Sequence, residues 1–325
     1  MKLPGGSTVP AAINPTRGVL GERRQERLGL LYAAGAGILF GSSYVATAYA
    51  LRSFEPVSAT AWRGILGTLG LSILIARGVV QAGGRGIGRS ILARLVVLGI
   101  LGGPGIIVGT NVAVSLVGAA VTSFVAGLYA VLAAMLAIPV LGERLRLDAV
   151  AGLVTAFAGT ALLAELWQGT ASAFGVFAAL LGASSYALFL VLSRRWSRSK
   201  GLEGPAVAFL TVAASGFGLM GIEAILSPGS IVPRSIDPLA LIGLIWVAIA
   251  ATWGQLLIVA SLRRIDARRS SALLLLGPPT AALLAWVLLG QTLRPLQIGG
   301  AALVLCGIAA VSGILRSFSR PTAGQ

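Results

Sequence analysis

Apolar runs of about 20 residues, each closed off by charge, Gly or Pro, follow one another along almost the whole chain. A helix rising ~1.5 Å per residue needs about that length to cross a hydrocarbon core of ~30 Å. The runs fall near 28–51, 57–76, 92–114, 120–140, 147–166, 172–192, 205–226, 239–262, 270–289 and 295–315. They predict an all-α integral membrane protein with ten transmembrane helices. Pro56 and Pro205 stand at or just before a first turn, where a missing N–H costs nothing. Only 11% of residues are charged, against roughly 25% in a soluble domain, so little chain is left for a water-borne unit.

A formal net charge of +15 would point to nucleic acid in a soluble protein. Here placement overrides the total. Of the 25 Lys and Arg residues, all but Arg52, Arg234, Arg294 and the span-embedded Arg63 fall on one side of the alternating runs. Cytoplasmic loops carry such an excess, so both termini are expected in the cytoplasm, at the plasma membrane, and nucleic acid is not an expected partner. Residues 1–27 read as a disordered cytoplasmic tail and 316–325 as a second tail. Ala48-Tyr49-Ala50 has the look of a signal-peptidase site, but the apolar run before it exceeds the ~7–15 residues of a secretory h-region. Cys306, the lone cysteine, reads as a small packing residue in a helix. With no histidine beside it, Cys/His zinc and haem sites lack their ligands, and no cofactor is expected.

The chain also repeats itself. Laid on 266–312 without a gap, the stretch 118–164 matches at about three residues in ten, against roughly one in ten by chance in so Ala/Leu/Gly-rich a sequence. Gly152 and Gly159 fall on Gly300 and Gly307, a spacing that puts both glycines on one helix face and lets another backbone come close. At a slightly shorter offset, Ser42-Ser43-Tyr44 falls on Ser184-Ser185-Tyr186. The halves are 28–166 and 172–315. Five helices per half is odd, so the second half enters the membrane from the opposite face, as an inverted repeat. Loop charge follows the inversion: Gly142-Glu143-Arg144-Leu145-Arg146 faces the cytoplasm, and its outer copy Gly290-Gln291-Thr292-Leu293-Arg294 has lost charge.

Taken together, Trp62-Arg63 early in the second helix, Leu141-Gly142-Glu143-Arg144-Leu145 closing the fourth, and Leu273-Leu274-Leu275-Leu276-Gly277-Pro278 with the run from Ala281 to Gly290 in the ninth resemble the EamA-type family of the drug/metabolite transporter superfamily. The resemblance spans about residues 30–315. It implies a ten-helix carrier of two five-helix halves, moving small polar metabolites such as amino acids, and the direction expected is export. The chain departs from the family pattern at Gly277-Pro278, where Glu-Pro is frequent, at Gly290-Gln291, where a second Gly-Glu is frequent, and at Ala130, where a proline is usual. No carboxylate role is carried over.

A carrier needs polar groups near the midplane, where unpaired ones are costly and face a cavity or another helix. Ser43, Tyr44, Tyr129, Ser185, Tyr186, Gly277 and Pro278 fall near that plane. The bland alternative has the hydroxyls bonding back to their own helices and the rings simply packing. Arg63 is the one basic residue well inside a span. It can meet a substrate carboxylate or phosphate, pair with Glu223 or Glu165, or snorkel outward. Asn111 and Gln255 suit interhelical hydrogen bonds as well as cavity contacts, and Trp62 and Trp253 suit substrate stacking as well as packing. Gly102-Gly103-Pro104-Gly105 and Gly277-Pro278-Pro279 interrupt two spans, as hinges, unwound binding segments or plain kinks.

No carboxylate lies near the centre of any span, so a proton relay at the midplane is not expected. The competing classes are a membrane-embedded enzyme and a scaffold. The first lacks metal-binding acidic clusters, His/Ser/Asp constellations and phosphate-cradling loops, and the second needs no mirrored halves. The expected partners are a small-molecule substrate and the lipid bilayer, with a homodimer left open.

Overall fold

The computed structural model describes residues 15–78, 89–141, 147–164, 170–196, 209–210, 212–262, 264–265 and 273–311, and among them it contains helices and no strand. We number the α-helices α1 (Pro15–Ala50), α2 (Pro56–Ala76), α3 (Arg89–Ile100), α4 (Ile106–Gly127), α5 (Tyr129–Leu141), α6 (Leu147–Ala164), α7 (Thr170–Trp196), α8 (Leu219–Leu226), α9 (Pro238–Leu262), α10 (Gly277–Leu289) and α11 (Pro295–Val311). Five helical runs among the described residues are long and apolar enough to cross a membrane: Arg23–Ala50, Pro56–Ala76, Arg89–Ala133, Ala173–Ser193 and Pro238–Ile258.

The run Arg89–Ala133, at 45 residues, is too long for one crossing. It breaks at Gly118, whose φ of 81° and ψ of 169° leave helical geometry in a region that glycine enters without steric cost. Contacts with α7 show the chain turning back there. Val117 lies against Gly175, while Gly105, twelve residues earlier, touches Ser185, and Tyr129, beyond the break, meets the neighbouring Tyr186. Two π-turns, Leu101–Gly105 within this same run and Ala214–Gly218 just before α8, widen the helix locally. The first holds Pro104, whose missing N–H a wider turn accommodates.

Helix contacts rest on small residues, because lipid offers no hydrophobic drive between helices and packing must supply the attraction. A Cβ on Gly159 would lie 2.7 Å from the Gly300 carbonyl oxygen, and one on Gly307 would lie 2.6 Å from that of Gly152. Residue number rises along α6 as it falls along α11, so the two helices run antiparallel. The same reading gives α1 antiparallel to α9, through Gly35 on Leu257 and Gly243 on Ala46, and α4 antiparallel to α7, through Ile106 on Gly182 and Val117 on Gly175. Gly64 of α2 and Gly216 cross backbone to backbone. Outward faces are apolar: Ile242, Ile245, Ile249 and Trp253 form an exposed stripe along α9.

Three expectations shift. Helix α1 reaches back to Pro15, into the segment assigned to a disordered tail. Proline suits a first turn, and the Glu/Arg/Gln run at 22–27 consists of helix formers. Helix α10 starts at Gly277, after a turn at Leu275 and Leu276, because its paired prolines fit a helix start and not its interior. Cys306, expected in packing, is exposed on α11. Glu165, Pro205 and the loop 142–146 lie outside the described residues.

Candidate functional site

The Ser-Ser-Tyr segments stand in the last third of α1 and midway along α7. Ser43 Oγ donates to its own helix, to Phe40 O at 2.6 Å. Its counterpart Ser185 instead reaches across to Leu101 O at 3.1 Å, at the start of the π-turn that holds Pro104. The serines are thereby occupied, one within its helix and one between helices. The aromatic rings are placed otherwise. Tyr129 meets Tyr186 edge-on, with centroids 5.0 Å apart and planes at 81°, and Tyr186 stacks on Phe189 at 5.5 Å. Tyr44 stands within electrostatic reach of Tyr129, Tyr186 and Arg63. The repeat-related tyrosines therefore converge, and the third ring belongs to the segment just past the Gly118 break.

Arg63 enters this group from α2, one residue before the Gly64–Gly216 crossing. That crossing leaves no room for side chains at its centre, so the space beside it falls to the neighbour. Arg63 and the three tyrosines are enclosed by protein but only half-buried, as side chains on an internal wall are. Among the described residues, neither the guanidinium nor any of the three phenols makes a hydrogen bond or ion pair. A guanidinium carries five N–H donors in a planar fork suited to a carboxylate or phosphate. Glu223, offered above as its partner, lies beyond ion-pair distance and is held by two serines.

The remaining candidates spread outward. Asn111 is buried and its Nδ2 donates to Thr60 Oγ1 at 2.9 Å and Pro56 O at 3.2 Å, tying α4 to the first turn of α2. Trp62 donates from Nε1 to Ile231 O at 2.9 Å and packs against the buried cluster that holds Phe54 and Leu244, so its indole anchors the loop between α8 and α9. Trp253, 46% exposed, belongs to the outward stripe of α9. Gln255 is half-buried, with no hydrogen-bond partner among the described residues. Pro278 is buried at the start of α10, and the preceding Gly277 carbonyl presses on Gly41 of α1. One residue was missed. Gln291 Oε1 accepts the Ala119 N–H at 3.2 Å, holding the helix that restarts after Gly118 to the end of α10. Its only sequence signal was its place opposite Glu143 in the repeat.

Comparison with known proteins agrees with this architecture. The EamA-like transporter family model matches residues 27–164 and again 173–313. A solved structure described only as the crystal structure of a protein is similar in fold, with a TM-score of 0.62 and 24% identity over 89% of this chain and 98% of that one. No curated protein matches the chain.

Proposed function

The chain belongs to the EamA-like transporter family and is a multi-pass membrane protein, and from that premise we propose a secondary carrier that moves small polar metabolites bearing an anionic group, such as amino acids, outward across the plasma membrane. The carrying observation is the half-buried Arg63, open to an anion beside Tyr44, Tyr129 and Tyr186. In a low-dielectric interior a lone guanidinium is costly, and a substrate carboxylate offsets that cost with charge-assisted, bidentate hydrogen bonds. The tyrosines supply aromatic faces and hydroxyls around it, so an amphipathic solute meets both kinds of surface. Tyr44 and Tyr186 come from equivalent helices, which suits a site shared by two halves.

Alternating access by an inverted repeat of ten helices is supported by the pairing of the helices. The equivalent helices α6 and α11 run antiparallel, and the two heterologous pairs, α1 with α9 and α4 with α7, are each other's counterparts. Two five-helix units of opposite orientation produce that pattern. The expected Arg63 contact is tested with full-length protein in liposomes, loaded in turn with amino acids, small carboxylates and phosphate esters. We expect flux for at least one anionic class, reduced about tenfold or more by Arg63→Gln, the loss of one charge-assisted contact. Equal flux in Arg63→Gln overturns the site, and no flux for any solute overturns the carrier.

A further inference from the structure

On the outer side the loop between α8 and α9 closes over the start of α2 through a set of polar contacts. Arg234 N donates to Ser53 O at 2.8 Å, Arg234 pairs with Glu55 at 2.6 Å, and Ser58 Oγ donates to Ser230 O at 2.6 Å. At the inner end of this junction sits Glu223 of α8, 6% exposed. Its Oε1 accepts Ser58 Oγ at 2.9 Å and Ser230 Oγ at 3.3 Å, while its Oε2 is buried with no partner. The carrier mechanism above makes no use of it.

We propose that Glu223 is a proton-binding site and that its proton keeps the outer junction shut. A buried carboxylate with one bare oxygen is costly in its ionised form. A proton on Oε2 removes the charge and leaves Oε1 a carbonyl oxygen that shares the two serine protons with the nearer carbonyls, Ser230 O at 2.6 Å from Ser58 Oγ and Ser227 O at 2.7 Å from Ser230 Oγ. A metal ion fits less well, because among the described residues no group of three or more acidic, histidine or cysteine side chains gathers to hold one. Charged groups on the elements packed against α8 are Glu55, already paired with Arg234, and Arg63, which is beyond ion-pair distance. When the proton leaves to the outer water, the carboxylate must hydrate. Water entering at Oε2 parts Ser58 from Ser230 and frees the loop. The site stands without the carrier reading; only what the junction gates rests on it.

The test needs no substrate. Full-length protein in nanodiscs is titrated from acid to alkaline pH by infrared difference spectroscopy, and by spin-label distances between Arg52→Cys and Ile236→Cys in a Cys306→Ser background, both labels on exposed positions flanking the junction. We expect a protonated-carboxyl band that fades as pH rises and is absent from Glu223→Gln. The label distance should lengthen over the same pH range and stay short at every pH in Glu223→Gln, which keeps both serine bonds and mimics the protonated acid. Ser58→Ala, which retains the carboxyl and removes one bond to it, should keep the band at a shifted frequency. No band lost in Glu223→Gln, or a distance that ignores pH in the unsubstituted background, overturns the proposal.

Discussion

At the scale of single residues, hydrogen bonding separates the polar side chains that hold helices together from those left open to a ligand. Asn111 belongs to the first kind, since its amide is spent on Thr60 and Pro56. Thr60 also donates to Pro56 O at 2.8 Å, so replacing Asn111 leaves that carbonyl with a donor. Asn111→Leu should therefore lower stability by only about 1 kcal/mol, the range of interhelical hydrogen bonds in membranes, read by thermal unfolding in detergent. Solute selectivity should stay unchanged, in contrast to Arg63→Gln. Sequence reading found Asn111, Trp62 and Arg63 as unusual residues in spans but left their roles open. The roles of Asn111 and Trp62 depend on partners 50 or more positions away, as with Ile231 for Trp62, and one sequence carries no record of such pairing. Tyr44 and Tyr186 were more legible, because duplication marks them as equivalent and a two-fold relation brings equivalents together.

Among elements, the close crossings govern. Gly152, Gly159, Gly300 and Gly307 were readable as one-sided glycine faces, and they do pack on each other. The Gly64–Gly216 crossing was not readable, because a glycine in a helix is too common in this chain to mark a contact. Its consequence is sharp. A Cβ on Gly64 runs into the Gly216 backbone, which cannot rotate away as a side chain can. Gly64→Ala should cost roughly 2–3 kcal/mol by forcing α2 off the π-turn, and it should displace Arg63 with it. Gly70→Ala on the same helix meets nothing within 4 Å, so it should be neutral or gain up to about 1 kcal/mol from helix propensity. Melting curves of the two variants in the same detergent decide the matter, and equal shifts would remove the crossing as a structural constraint.

For the whole molecule, charge and internal duplication have to agree on one orientation. In the proposed inverted repeat, the antiparallel packing of α6 on α11 corresponds to repeats entering from opposite faces, and an odd number of crossings per repeat returns the C-terminus to the side of the N-terminus. The basic residues say which side. Arg23, Arg24 and Arg27 are exposed along the first part of α1, whereas the opposite end of the same helix carries only Arg52, resting on the Tyr49 ring at 4.4 Å. With positive charge expected in the cytoplasm, the proposed orientation puts the corner Leu51–Glu55 and the loop around Arg234 outside. In intact cells carrying Cys306→Ser, a cysteine at Val232 should react with a membrane-impermeant thiol reagent, and cysteines at Arg23 or Arg320 should react only after the membrane is opened. Labelling of residues 23 and 320 from different faces would mean an odd number of crossings and so not ten, and neither the mirrored halves nor a site shared between Tyr44 and Tyr186 would survive that result.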